Sequence, residues 1–313
     1  MKSSILEPAT LLQPGLIRNT REAAVRFESV SMAFGQVRAL NSMNFEINAG
    51  ETVALLGPNG AGKSTAISIM LGLLHATEGS PTVFGLDPQR AVTSGRIGAM
   101  LQTGTLLHGV KVRELVNLVR KLYPHSLTEA ELFERANLAP IGDRMAQTLS
   151  GGEAQRVRFA FAIAGNPDVV FLDEPTVAMD VDSRRAFWSN MRAFASTGRT
   201  VLFATHYLEE ADAIADRIIV LNHGNIVADG SSTEIKATVN TRVVRFILPD
   251  AEIANLRQLF GATEVQVHGH TVELHSTDTD ETVRTLVDSR LAWRDLEVSG
   301  ADIEDAFLAL TRN

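Results

Sequence analysis

The chain has 313 residues, a formal net charge of −8 and no cysteine. The length accommodates two domains with a sizeable core, and the acidic balance argues against a broad nucleic-acid surface. Without cysteine there are no disulfides, thiolate metal sites or thiol chemistry, and no apolar run is long enough for a signal peptide or a membrane-spanning helix, so a soluble, cytoplasmic protein is expected.

Residues 1–22 mix Pro8, Pro14 and Gly15 with polar residues and read as a flexible tail. Val25–Val30 reads as a first strand, Met32–Gly35 as a turn, and Val37–Ile47 as a segment that includes a second strand, Met43–Ile47. The apolar run Val53–Leu56 then enters Gly57-Pro58-Asn59-Gly60-Ala61-Gly62-Lys63-Ser64-Thr65, followed by the helix-like Ala66–Leu74. Strand, glycine-rich turn and helix start stand at the spacing G-x-x-x-x-G-K-S, the pattern of a nucleoside triphosphate site. Small residues let backbone N–H groups surround a phosphate, and the helix start adds partial positive charge. Lys63 can reach the outer phosphates and Ser64 can offer an oxygen to Mg²⁺.

Thr77–Asp87 reads as a hairpin with turns at Gly79-Ser80-Pro81 and at Gly85, and Ile97–Leu101 as a strand ending at Gln102. Two helices are expected next, over Val112–Tyr123 and over Thr128–Asn137, where Thr128 and Glu131 have capping-box spacing. Leu149-Ser150-Gly151-Gly152-Glu153 opens a third helix, with Ser150 at its N-cap. That is a second helix start suited to phosphate in a chain that already has a phosphate loop. The strand Val169–Leu172 closes in Asp173 and Glu174, at the carboxyl edge where α/β sheets bind ligands. Asp173 can hold Mg²⁺, and Glu174 can take a proton from an attacking water.

Helix 182–196, strand Thr200–Ala204, Thr205-His206, helix Leu208–Ala215 and strands Arg217–Leu221 and Gly224–Asp229 follow. The alternation predicts an α/β fold with a mostly parallel sheet covered on both faces. Beyond about Ser231 the order β-α-β-β-α-β predicts a small ferredoxin-like α+β domain without catalytic residues, an interaction or regulatory module.

Taken together, these motifs resemble the ATP-binding subunits of ABC transporters over roughly residues 25–235. The run Asp302–Thr311 is similar to the ending of drug-resistance (daunorubicin-type) exporter ATPases, although as plain residues it is an adequate amphipathic helix. The resemblance implies a P-loop nucleotide-binding domain over 23–235, with a helical subdomain at about 103–160, and an accessory domain over 236–313. It implies ATP held by Gly57–Thr65, with Phe34 stacked on adenine; a core Phe is the alternative. Ser64, Gln102 and Asp173 would hold Mg²⁺, and Glu174, His206 and Gln102 would serve catalysis. Leu149–Glu153 would touch the ATP of a second copy in a head-to-tail homodimer. Asp180 would order that interface, an ordinary helix N-cap being the alternative. Glu153 stands where the family most often has Gln, and Ala178-Met179-Asp180 where Gly-Leu-Asp is usual; neither departure removes a catalytic group, and both bear on the hydrolysis rate.

The implied function is ATP hydrolysis that powers a separate membrane permease docked near Leu106–Arg113. The implied transport is export of a drug, lipid or other hydrophobic compound from the cytoplasmic face of the membrane. Alternatives are an importer with a ligand-sensing C-terminal domain, or a non-transport ATPase acting on DNA or ribosomes. No long coiled coil fits between Lys63 and Asp173, and the chain has one ATPase core, which speaks against the last class.

Overall fold

The computed structural model describes residues 22–102, 104–177, 179–238, 242–249, 256, 264–289 and 291–311. Residues 1–21 of the expected tail, Ala178, and all but Leu256 of a helix expected at Ala251–Leu259 lie outside that set.

In chain order, β1 (Ala23–Phe34) and β2 (Val37–Asn48) form a hairpin, β3 (Thr52–Leu56) runs into α1 (Lys63–Met70), and β4 (Glu78–Val83), α2 (Pro88–Thr93) and β5 (Ile97–Met100) follow. Next come α3 (Val112–Arg120), α4 (Glu129–Arg135), α5 (Gly151–Ile163), β6 (Val169–Asp173), α6 (Val181–Ala195), β7 (Thr200–Thr205) and α7 (Leu208–Ile214). The strands β8 (Arg217–Asn222) and β9 (Asn225–Gly230) lead to α8 (Ser232–Lys236). Then come β10 (Arg242–Ile247), β11 (Glu264–His268), β12 (Thr271–Ser276), α9 (Thr279–Asp288), β13 (Arg294–Gly300) and α10 (Ile303–Thr311).

Among the described residues the central sheet has six strands in the order β5-β6-β7-β3-β8-β9, parallel except for the β8–β9 hairpin. Every residue of β3, β6 and β7 is buried, as expected of parallel strands covered on both faces. Side-chain alternation splits their residues between two cores. Leu55, Phe171 and Leu202 pack with Phe27 and Phe45 of the small antiparallel sheet β2-β1-β4 and with Ile67 of α1. Leu56, Leu172 and Phe203 pack on the other face with Phe159, Phe187 and Trp188.

Two expectations in the small sheet are corrected. β1 does not end at Val30 but continues to Phe34, so Phe34 closes a strand instead of sitting in a turn. Register shifts between Phe27 and Val30 and between Val30 and Met32 break the alternation that would have revealed this. Gly79-Ser80-Pro81 is not a turn but the middle of β4, paired with β1. Gly79 is there because Ser29, itself at φ 50°, bulges towards it: a Cβ on Gly79 would lie 2.3 Å from the Ser29 carbonyl oxygen. Pro81 is tolerated because β4 is an edge strand.

Helix ends follow local chemistry. The capping box at α4 forms: Glu131 N–H donates to Thr128 Oγ1 at 3.2 Å, and Thr128 N–H donates to the Glu131 carboxylate at 2.7 Å. α3 stops at Arg120, short of the expected Tyr123, because Pro124 disfavours helical geometry at the residue before it.

The C-terminal sheet is antiparallel, in the order β11-β12-β10-β13, and buries Val244, Phe246, Val272 and Leu274 against Leu286 of α9. The last helix goes elsewhere. Ile303 and Ala306 of α10 belong to the same buried cluster as Phe203 and Phe159, with Phe307 and Leu310 packed against it. Asn222 at the end of β8 donates to the Thr311 carbonyl at 3.3 Å.

Ile303→Ala should therefore destabilise the central core by roughly 2–4 kcal/mol. The measurement is denaturant unfolding followed through Trp188 fluorescence in a Trp293→Phe background. An unmoved Trp188 transition would show that α10 does not stabilise that core.

Candidate active site

The phosphate loop is built by constraint at both ends. β3 lies between β7 and β8, so its carboxyl end opens at mid-sheet. A Cβ on Gly62, at φ 108°, would come within 2.6 Å of both the Ala39 carbonyl oxygen and Leu40 Cδ2. α1 begins directly after it with no side-chain cap and no acidic residue in its first turn, which leaves its N–H groups for an anion. Lys63 is buried, and its Nζ donates to the carbonyls of Gly57 at 2.7 Å and Pro58 at 3.1 Å. An ammonium has three donors, so one remains for a phosphate oxygen.

The ends of the neighbouring strands converge on this loop. A cleft of about 480 Å³ is lined by the predicted Phe34, Asn59, Gly60, Gly62, Lys63, Ser64, Thr65, Gln102 and Glu174, and by Ala39. Phe34 is 49% exposed, which removes the core-Phe alternative. Gln102 Nε2 donates to Glu174 Oε2 at 3.0 Å, and His206 Nδ1 stands 3.3 Å from Glu174 Oε1. The three expected catalytic side chains are thus one cluster. Glu174 has φ 48°, a left-handed conformation that costs of order 1–3 kcal/mol for a side-chain-bearing residue. Its N–H donates to the Ala204 carbonyl at 2.9 Å, which holds the turn against the end of β7.

Asp173 is 6% exposed, and among the described residues its Oδ1 has no hydrogen-bond partner. Burial pushes its carboxyl above the usual carboxylate range, the Ser64 hydroxyl pulls it back, Glu174 adds to the rise and Lys63 opposes it. Burial likewise lowers the Lys63 ammonium, against the pull of Glu174 and Asp173.

Leu149–Glu153 line none of this cleft. Ser150 caps α5: Glu153 N–H donates to Ser150 Oγ at 3.3 Å, and Ser150 N–H donates to Glu153 Oε2 at 2.8 Å. Gly152 packs on Ser183 of α6, whose Oγ would stand 2.8 Å from a Cβ. Asp180 caps α6, accepting the N–H of Ser183 at 2.8 Å and its hydroxyl at 2.8 Å.

Sequence reasoning missed Ala39, an unmarked strand residue beside the loop. It also missed Glu210, buried behind Glu174 and His206. Its position in the first turn of α7, next to Glu209, reads as a solvated acid answering the helix dipole.

The family model for ABC transporters matches residues 40–177. The daunorubicin/doxorubicin resistance ATP-binding protein DrrA of Streptomyces peucetius is 32% identical over 92% of this chain and 92% of its own length. The chain belongs to the ABC transporter ATP-binding subunits. The Nod factor export ATP-binding protein I of Burkholderia lata is 33% identical over 92% of this chain and 97% of its own length. Among solved structures, a dimeric ATP-binding cassette in a post-hydrolysis state bound to ADP and Pi is similar at TM-score 0.60 and 27% identity, over 66% of this chain and 98% of its own. This ABC subunit is accordingly an ATPase with the ABC cassette fold. No helix among the described residues is long and apolar enough to cross a membrane.

The orphaned Asp173 oxygen makes a stability statement. A carboxyl whose folded pKa is raised carries no penalty when neutral at low pH. The penalty grows as pH rises from the unfolded to the folded value and is constant above it. Asp173→Asn should raise the melting temperature at neutral pH, without nucleotide, by about 2–6 °C, and this gain should shrink on acidification through the carboxylate range. ATP hydrolysis should fall about 100-fold or more. A variant that melts below wild type would show that ionised Asp173 is not a penalty to the fold.

Proposed function

We propose that this chain powers an exporter as a pair of identical copies beneath a separate membrane permease, on the cytoplasmic face of the membrane. The carrying observation is the cleft itself. The phosphate loop, Gln102 and Glu174 line it, while the second helix start suited to phosphate, at Ser150, lies outside it. A head-to-tail pair supplies each cleft with the Leu149–Glu153 segment of the other copy, Asp180 standing at the junction. The dimeric neighbour supports the pairing. The names of the relatives, drug resistance and Nod factor export, support export over import and a drug, lipid or other hydrophobic compound as cargo.

In this reading the N–H groups of Gly57–Thr65 and the free donor of Lys63 bind the ATP phosphates, and the exposed Phe34 ring stacks on adenine. The residues present fit Mg²⁺: an unpartnered buried carboxylate oxygen on Asp173, the Ser64 hydroxyl, and the Gln102 amide oxygen left over from its bond to Glu174. The ion would supply charge neutralisation at the phosphates. Glu174 takes a proton from the attacking water, and His206 steadies the Glu174 carboxylate and contacts the γ-phosphate. Closure is passed to the permease through the Gln102 segment, which docks near Leu106–Arg113. Residues 23–235 form the ATPase unit and 236–313 the accessory region, whose last helix, α10, packs back onto the core of the ATPase unit.

Glu174→Gln should lower turnover about 100-fold or more and give an ATP-dependent dimer on light scattering. Ser150→Arg should preserve ATP binding by the monomer and abolish that dimer. Lys63→Ala should abolish binding. Hydrolysis at the wild-type rate by Glu174→Gln would remove Glu174 from its role.

A further inference from the structure

β6 and β7 are paired through their backbones as far as Asp173 and Ala204. Each then enters a turn that carries one of the hydrolytic side chains, Glu174 or His206. Behind both turns lies Glu210, 5% exposed, whereas its neighbour Glu209 is exposed.

The two oxygens of Glu210 are divided between the turns. Thr176, two residues past Glu174, donates its hydroxyl to Oε1 at 2.6 Å. Thr205, immediately before His206, donates to Oε2 at 2.9 Å. Both threonines are 1% exposed. Thr205 Oγ1 also accepts the N–H of Tyr207 at 3.0 Å, so one hydroxyl spans the turn around His206. Arg184 Nε lies 3.5 Å from Glu210 Oε1, and its guanidinium sits 4.3 Å from the centre of the Tyr207 ring. The Tyr207 ring in turn lies 4.1 Å from that of His206. A buried carboxylate is costly unless hydrogen-bonded and charge-compensated, and here it is both. A surface-facing acid in the first turn of α7 would serve the helix dipole as well, so the fold itself does not require this burial.

We propose that Glu210 is a positioning residue for ATP hydrolysis: it clamps the turn after β6 to the turn after β7 and so fixes Glu174 relative to His206. This rests on the reading of Glu174 and His206 given above. Glu210 does not reach the reacting atoms. It acts on a strained turn, where the left-handed Glu174 has an easier conformation to relax into once Thr176 is released. A misplacement of about 1 Å is enough to cost about 100-fold in rate.

The test is steady-state ATPase activity of the full chain, with binding of a fluorescent ATP analogue and thermal unfolding measured alongside. Glu210→Ala should lower kcat about 10- to 100-fold with the KM for ATP within about twofold of wild type. Glu210→Gln, which keeps the shape and one acceptor, should be intermediate. Thr176→Val, nearly isosteric, should lower kcat several-fold alone and have no further effect in the Glu210→Ala background. Unchanged kcat in Thr176→Val and Glu210→Ala would overturn the proposal; if Glu210→Ala does not fold, Thr176→Val alone decides. Analogue affinity and melting temperature falling in step with kcat would also overturn it, by making Glu210 merely structural. If Glu174→Gln hydrolyses ATP like wild type, the parent reading fails, and this clamp with it.

Discussion

Parallel pairing of β5, β6, β7 and β3 is the constraint on which the rest depends. Parallel strands in one register send all their carboxyl ends to the same edge, whatever chemistry follows them. Here the chain leaves β3 into Gly57, β5 towards Gln102, β6 at Asp173-Glu174 and β7 at Thr205-His206. Residues far apart in sequence, such as Gln102 and Glu174, then lie within a hydrogen bond of each other. The sheet can do this only because its central strands β3, β6 and β7 are buried on both faces. The two apolar cores are therefore part of the positioning apparatus as well as the source of stability.

The same edge concentrates buried charge. Lys63, Asp173 and Glu210 are all nearly inaccessible. Lys63 uses loop carbonyls and Glu210 uses two threonines and an arginine, but one oxygen of Asp173 has no partner among the described residues. A fold selected for stability alone would not leave that oxygen bare. The three differ in what is left over: both oxygens of Glu210 are partnered, whereas Lys63 keeps one ammonium donor spare and Asp173 one oxygen bare among the described residues.

What was legible in the sequence was local. The phosphate loop, the Thr128–Glu131 box and the Ser150 cap each depend on residues a few positions apart, so their spacing carries the physics. What was not legible depends on distant backbone. Gly79 looks like a turn glycine until the bulge at Ser29 is placed opposite it. α10 has the apolar spacing of any amphipathic helix, and nothing in that spacing says which core receives Ile303. Glu210 has the composition of a solvated helix start, and only the Thr176 and Thr205 hydroxyls reveal it as a buried link. Candidate site residues were readable by motif; the groups that hold them in place were not.

The departure at Glu153 finds a physical answer in the fold. A carboxylate in the first turn of α5 would repel the phosphate expected from a second copy, since both seek the same helix start. Glu153 is not a free charge, however. Burial raises its carboxyl, but the Ser150 N–H and Arg144 outweigh that and hold it below the usual range. Arg144 Nη1 lies 2.6 Å from Glu153 Oε1, and the other guanidinium nitrogen, Nη2, donates to the Thr148 carbonyl at 2.6 Å. The charge is thus answered by an arginine fixed to the loop that precedes the helix. A neutral glutamine needs no such partner. In this chain Glu153 and Arg144 together tie the loop before α5 to the helix start.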